Sequence, residues 1–344
     1  MRAPPRLRCD RPRRGRGGAA VVAGLALATS LPLLAQAQAP ATAGAAWPAR
    51  PLRLVVPFGP GGSADLMARL LGQRLPEALG QPVVVENRPG AGAMLGNELV
   101  AKSAPDGYTL GIGTLGPLSV NQSLFARVPY DSARDFAPIT LTGASSHVLV
   151  VNPALPVRSL AELIALAKQR PGQLTFASSG IGNATHLTGE LFKAMAGVDV
   201  VHVPYKGGGA AVADVIGGHV VFSFASMPSA LPHVRAGRLR ALAVAPGQRV
   251  ATAPELPTVA ESGLPGFASE DWQGLVAPAR TPAEVVARLN AEVHRVLGAA
   301  DLRERLDAQG FQVRLSTPQQ FAELIRSESA KWARIVREAG IRLD

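Results

Sequence analysis

From Leu52 onward, short runs of β-branched residues alternate with longer segments rich in alanine and leucine, and glycine-rich turns stand where a run hands over to a segment. Few arrangements accept that rhythm: it builds βαβ units, in which crossover helices join largely parallel strands. The spacing predicts strands at Leu52 to Pro57, Val83 to Glu86 and Thr109 to Gly113, with helices over Ala64 to Leu79 and Ala93 to Lys102. A second series follows Asn152-Pro153. Ser159 with Glu162 forms a capping box, and after it come strand Leu174 to Ala177, helix Ala184 to Ala196, strand Val200 to Val203, helix Ala210 to Ile216, and strands His219 to Phe224 and Leu239 to Val244. Two α/β lobes are implied. Thr281-Pro282-Ala283-Glu284 and the pair Thr317 and Gln320 open helices in the tail, the last with one apolar face of Phe321, Leu324, Ile325, Trp332, Ile335 and Val336.

With 344 residues, 47% hydrophobic and 17% charged, the chain can bury one large or two ordinary cores, which excludes disorder. The net charge of +10 suggests a nucleic-acid partner until it is located. Seven arginines and one aspartate fall in the first 16 residues, and without them 28 basic side chains face 24 acidic ones with no basic stripe, so no nucleic-acid partner is expected. The one cysteine, Cys9, sits in the same stretch, leaving no disulfide framework and no thiolate site.

Arg2 to Arg16 is positively charged, Ala19 to Ala35 is apolar, and Ala35-Gln36-Ala37 supplies small residues for cleavage, which together read as a secretory signal over residues 1–37. The apolar part falls short of the roughly 20 residues that span a bilayer. The mature product is expected to begin near Gln38, soluble in the periplasm. Arg13-Arg14 hints at twin-arginine export, but Gly15-Arg16 is not its usual continuation and favours the general secretory route.

Gly59-Pro60-Gly61-Gly62-Ser63-Ala64, between the first strand and the first helix, satisfies G-x-G-x-x-A, and Glu86 ends the next strand where a ribose-binding acid would stand. Export, Pro60 in the turn and the want of hydride chemistry downstream oppose a dinucleotide enzyme. The same physics serves a smaller anion: glycines allow close approach, the first helical amides are unpaired, and the helix dipole adds about half a positive charge. A carboxylate fits without any arginine, and Asp65 reads as a partner of the helix dipole. Ser178-Ser179-Gly180-Ile181-Gly182-Asn183-Ala184-Thr185-His186 is a second such loop, with helix capping by Asn183 or Thr185 as the plainer reading, and Tyr205-Lys206-Gly207-Gly208-Gly209 is a third. Gly90-Ala91-Gly92 is either an anion nest or a tight turn. Catalysis finds no footing: there is no H-E-x-x-H and no G-x-S-x-G, and the adjacent Ser145-Ser146-His147 would point to opposite faces of a strand. His202 and His219 read as structural or solvated.

Pro57-Phe58-Gly59-Pro60-Gly61-Gly62-Ser63-Ala64-Asp65 resembles the opening of the Bug-type (Bordetella uptake gene) receptors of tripartite tricarboxylate transporters. The similarity continues through Glu86 to Gly92, Ala177 to Gly180, Val203 to Gly207, Pro228 to His233 and Leu256 to Gly263. It implies a two-lobed, periplasmic-binding-protein-like α/β fold with a ligand cleft between the lobes. Lobe 1 would be residues 48–150 plus 272–344, and lobe 2 residues 151–271, with hinge crossings near Val150-Val151 and Asp271-Trp272. The implied function is non-catalytic capture of a small organic carboxylate by lobe closure and its delivery to a membrane permease of the tripartite tricarboxylate type. No cofactor and no metal are expected, and a monomer is. An exported α/β enzyme, or a sensor subunit presenting carboxylate to a membrane kinase, are the alternatives. By position the resemblance assigns ligand contacts to Phe58, Gly61, Gly62, Ser63, Ala64 and Thr114 on one lobe, and to Ser178, Ser179, Asn183, His186, Tyr205 and Lys206 on the other. Ala225 is added because it and Val221 stand where many relatives carry aspartates. A cleft without those carboxylates has no partner for an ammonium group, so the expected ligand is an acid without one, unless Asp214 or Glu190 turns inward.

Overall fold

The computed structural model describes residues 47–338; the leader, its cleavage site at Ala37 and the start near Gln38 lie outside the described residues. The first βαβαβ unit is β1 (Leu52–Val56), α1 (Ser63–Leu79), β2 (Val83–Asn87), α2 (Met94–Ala101) and β3 (Thr109–Thr114). A π-helical turn at Gly116–Val120 and the one-turn α3 (Asn121–Leu124) lead into β4 (Phe136–Val151), a strand of 16 residues. The second series is α4 (Leu160–Gln169), β5 (Thr175–Ser178), α5 (Ala184–Ala196), β6 (Val201–Pro204), α6 (Gly208–Ile216), β7 (Phe222–Ser226), α7 (Met227–Arg235) and β8 (Arg240–Val244). The chain then returns through β9 (Glu270–Pro278), α8 (Ala283–Leu297), α9 (Ala300–Asp307), β10 (Phe311–Val313) and α10 (Pro318–Glu338).

Strand order is β2-β1-β3-β9-β4-β7-β5-β6, with β8 and β10 also paired to β4. β1 runs parallel to β2 and β3, and β5 parallel to β6 and β7, whereas β4 and β9 are antiparallel to their neighbours. β4 ties the two lobes together: Phe136 to Ser146 pair with β9, and His147 to Val151 pair with β7. The exchange of partners therefore falls at Ser146-His147, ahead of the crossing read at Val150-Val151. The strands β4 and β9, the helix α7 and the short β10 are absent from the sequence reading.

Helix α1 shows how the local sequence makes these elements. Its buried residues Met67, Ala68, Leu71, Leu75 and Leu79 recur at helical spacing, and it ends at Gly80, whose φ of 67° places it in the left-handed region while its amide bonds Pro76 O. Leu71 and Leu75 are fully buried with Leu54 of β1 and with Leu289 and Val293 of α8, and each contributes about 1.5–3 kcal/mol. The far lobe centres on Phe176, Phe192, Phe222, Phe224 and Phe267. Of the capping boxes, Thr317 and Gln320 make both reciprocal bonds, at 2.9 and 3.2 Å. The Thr281 box does not form. Thr281 Oγ1 donates to Pro278 O, and α8 starts after Pro282 without a side-chain cap.

Candidate functional site: a cleft closed by glycine loops

The parallel strands of both lobes point their C-terminal ends at one place, where open α/β sheets bind ligands. A small cavity, with about 30 Å³ of room for the centres of water-sized molecules, lies there. On one side it is lined by Phe58, Gly62, Ser63 and Ala64 of the β1–α1 junction and by Thr114 at the end of β3. Facing them are Ser179, Asn183, Ala184 and Thr185 of the β5–α5 junction, with Gly208 at the start of α6. His147 of β4, Ser226 of β7 and Asp271 of β9 complete the lining.

Backbone meets backbone across the mouth. Gly59 N donates to Lys206 O at 2.6 Å. A Cβ on Gly207 would stand 2.8 Å from Gly59 N, and one on Gly209 2.6 Å from Pro60 O. Gly92 and Gly116 approach Ile181 O and Gly182 O in the same way. Glycine is required at these points because no side chain fits between the lobes.

The helix starts differ in their partners. α1 begins at Gly62 and α6 at Gly207, neither with a side-chain cap, so their first amides remain as donors at the cavity. α5 is capped by Asn183, whose Oδ1 accepts from His186 N and from Thr185 Oγ1. Asp65 is more than a dipole partner. It is almost fully buried and accepts from Gly61 N at 3.0 Å, Arg69 at 2.9 Å and Asn87 at 2.8 Å, while Asn87 also holds Phe58 O. Burial pushes the Asp65 carboxyl up, but the bonds from Arg69, Gly61 and Asn87 outweigh it and hold its pKa below the ordinary value. This buried brace sets the shape of the first loop. Glu86 is engaged by Arg53, in a two-pronged pair at 2.8 Å, and by Arg88.

Of the residues assigned from sequence, Phe58, Gly62, Ser63, Ala64, Thr114, Ser179 and Asn183 border the cavity. Gly61 is at the surface with its amide turned to Asp65. Tyr205 and Lys206 line a neighbouring opening that shares Phe58 and Ser179 with the cavity. The Tyr205 hydroxyl donates to Asp214, and burial followed by that carboxylate raises the phenol to about 12. Lys206 contributes its carbonyl, and its side chain is exposed. Ser178 bonds His202 Nε2 at 2.6 Å, and His186 stacks on the same imidazole with ring centroids 4.1 Å apart, so these three form a packed unit behind the loop. Burial, then His186 and Lys193, push His202 down to about 3. Ala225 does not border the cavity. It faces Val148 across the β4–β7 pair and packs in the apolar cluster with Val212 and Val244, because its strand turns it away from the cleft. Glu190 is paired with Lys193.

Three lining residues were missed by sequence reasoning. His147 is 1% exposed, and its Nδ1 lies 3.1 Å from Thr188 Oγ1. Its Nε2 is buried without a partner, and burial pushes the imidazole down to about 4. Asp271 is half-buried overall, but its Oδ1 is shut off from solvent without a partner. Burial pushes it up to about 7, against hydrogen bonds from the Leu115 and Trp272 amides. The premise that the cleft holds no carboxylate is therefore corrected: Asp271 supplies one from β9. Ser226 stands directly opposite His147 in the β4–β7 ladder. Among the described residues no group of three or more His, Cys, Asp or Glu is placed to share a metal ion.

Fold and cavity define a two-lobed binding protein that encloses its ligand between loops of opposite lobes. The chain belongs to the TctC family, the tripartite tricarboxylate transporter family receptors, whose model matches residues 67–341. It is 43% identical to Protein BugT of Bordetella pertussis over 298 residues, 86% of this chain and 91% of that one. The structure of Rpa4515 of R. palustris with adipate superposes with a TM-score of 0.83 at 38% identity, covering 86% of this chain and 99% of the other. The periplasmic binding protein BugD superposes with the same score at 32% identity, again over 86% and 99%.

Proposed function

We propose that the chain is a periplasmic receptor, exported by its leader and acting as a monomer, which captures a small organic carboxylate without turnover and delivers it to a tripartite tricarboxylate-type permease. Lobe 1 is residues 48–150 plus 272–344, lobe 2 is residues 151–271, and ligand drives their closure. One observation carries the reading: the starts of α1 and α6, from opposite lobes and both without side-chain caps, converge on one cavity. Such amides favour an anion by charge and by direction. Adipate in the relative from R. palustris agrees with a carboxylate ligand. Among the described residues no helix is long and apolar enough to cross a membrane.

A thermal-shift screen of mono-, di- and tricarboxylates tests this. A ligand at 100 times its Kd adds about 2.7 kcal/mol to stability. The expected result is a shift with at least one acid, which is then recovered unchanged and in 1:1 ratio. No shift with any carboxylate overturns the carboxylate reading, and conversion of the acid to a product overturns the non-catalytic one.

A further inference from the structure

The floor of the cavity is formed by His147 of β4, Ser226 of β7 and Asp271 of β9. Among the described residues Asp271 is the one carboxyl in the lining, and no lysine or arginine joins it. The cations of the surrounding loops and helices are engaged elsewhere. Arg69 beneath the first loop is held by Asp65, Lys193 of α5 is held by Glu190, and the Lys206 side chain is exposed at the neighbouring opening. Asp271 also borders a wider groove behind the sheet, whose charges are Glu270, Glu328, Arg249, Arg314 and Lys331. There Arg314 is paired with Glu270, Lys331 with Glu328 and Arg249 with Glu261. Asp271 Oδ1 is shut off from solvent without a partner, and the buried His147 lines the same space.

A carboxylate gripped by the helix starts therefore brings negative charge into a space that already holds a carboxyl and no counter-cation. The cavity is small, so a ligand filling it displaces the water that would screen like charges. Two carboxylates that share such a site do not both stay ionised, and one of them keeps a proton. Burial favours the neutral form of Asp271 against the bonds from the Leu115 and Trp272 amides, and Glu270 beside it acts in the same direction as burial. Protonated, Asp271 offers an O–H that a ligand carboxylate accepts, a charge-assisted bond of the short and strong kind.

Resting on the carboxylate reading above, we propose that this receptor captures its acid together with one proton, taken from solvent by Asp271 and held between Asp271 and a carboxylate oxygen of the ligand. The proton returns to solvent when the acid leaves. One negative charge then occupies the cavity where two would otherwise meet, and the helix starts face that single charge. His147 stays neutral, because burial pushes its imidazole far below the ordinary range. Solution pH thus sets how tightly an acid is held, through the fraction of receptor in which Asp271 is already protonated.

The test is calorimetry with the best binder among benzoate, succinate, adipate and tricarballylate. At pH 8, in buffers of different ionisation enthalpy, it should carry about 0.9 proton into the complex, and its affinity should fall about 25-fold from pH 6.5 to pH 8.5, as a free-receptor carboxyl titrating near 7 requires. Asp271→Asn keeps a donor and does not ionise. It should bind without proton uptake, with an affinity that changes less than threefold over the same range and exceeds that of wild type at pH 8.5. Wild-type binding without proton uptake overturns the proposal and leaves the carboxylate reading standing. Uptake that persists in Asp271→Asn puts the proton on His147 or on the ligand and overturns it as well. Should that variant fail to fold or bind, the proton count and pH slope of the wild-type protein decide alone. If none of the four acids binds, the carboxylate reading falls and the proton with it.

Discussion

Gly209→Ala makes the backbone latch between the lobes measurable. Gly209 lies in the first turn of α6, where alanine is the better helix former by about 0.5–1 kcal/mol, so the substitution should stabilise the ligand-free protein. In the closed arrangement, however, its Cβ would stand 2.6 Å from Pro60 O, whereas ordinary contact begins at 3.4 Å, so the loops must part by 0.8 Å. That displacement takes the Gly59–Lys206 hydrogen bond from 2.6 Å to about 3.4 Å, beyond ordinary N–H···O geometry. Losing one such bond costs about 0.5–1.5 kcal/mol, equivalent to roughly a twofold to tenfold loss of affinity, to which lost contact along the seam adds. Gly237→Ala is the mirror control. Its φ of 69° strains an alanine, but a Cβ there meets nothing within 4 Å, so stability should fall and affinity should not. Calorimetry with the acid giving the largest thermal shift, and melting without ligand, read the two effects separately. Unchanged affinity in Gly209→Ala would refute the latch.

Two further perturbations follow from buried groups. Asp65→Ala leaves Gly61 N–H and one Asn87 N–H without their acceptor, so it should cost about 2–4 kcal/mol and loosen the first loop, read as a lower Tm together with weaker carboxylate binding; a Tm within one degree of wild type would contradict the brace. Asp271 has a folded pKa of about 7 against an ordinary 3.8, so its contribution is fully present below pH 3.8 and is lost as pH rises through 7. Asp271→Asn should therefore match wild type near pH 4 and exceed its stability by a few kcal/mol at pH 8, a difference that chemical denaturation at the two pH values would reveal or deny. His147, neutral with a folded pKa of about 4 against 6.5, works in the other direction: the Asp271→Asn protein should lose stability as pH falls from 6.5 to 4, and a flat profile there would show that His147 is not buried in solution.

The parts of the site that sequence makes legible are those built locally. Gly59 to Ala64, Ser178 to Thr185 and Tyr205 to Gly209 each lie between a β-branched run and a helical segment, and a strand-to-helix junction of glycines has few conformations to choose from. The floor is illegible for a matching reason. β4 reads Phe-Ala-Pro-Ile-Thr-Leu-Thr-Gly-Ala-Ser-Ser-His before its valines, with a proline, a glycine and a run of small residues that break alternation. What makes it a strand is β9, β10, β7 and β8 pairing to it, information held far away in the chain. β9 opens on Glu270 and Asp271, which look like loop charges until the antiparallel ladder draws them in. Ala225 failed as a site residue for the converse reason. Its place in a motif was read without the strand phase that turns it into the core.

This division has a chemical counterpart. The mouth presents uncapped main-chain amides, which many sequences can supply provided glycines let the loops approach. The floor presents three side chains, held on the two antiparallel strands at the centre of the sheet and on β7 beside them. Strand positions hold a side chain more rigidly than loop positions do, and His147 is further fixed by Thr188, itself tied to Ala184 and Ser269. Because these side chains stand on strands and not on the glycine loops, replacing one of them is expected to leave the Gly59–Lys206 contact in place. The lining positions 147, 226 and 271 thus lie where sequence motifs are silent, and the glycines that bring the loops together lie where they are loudest.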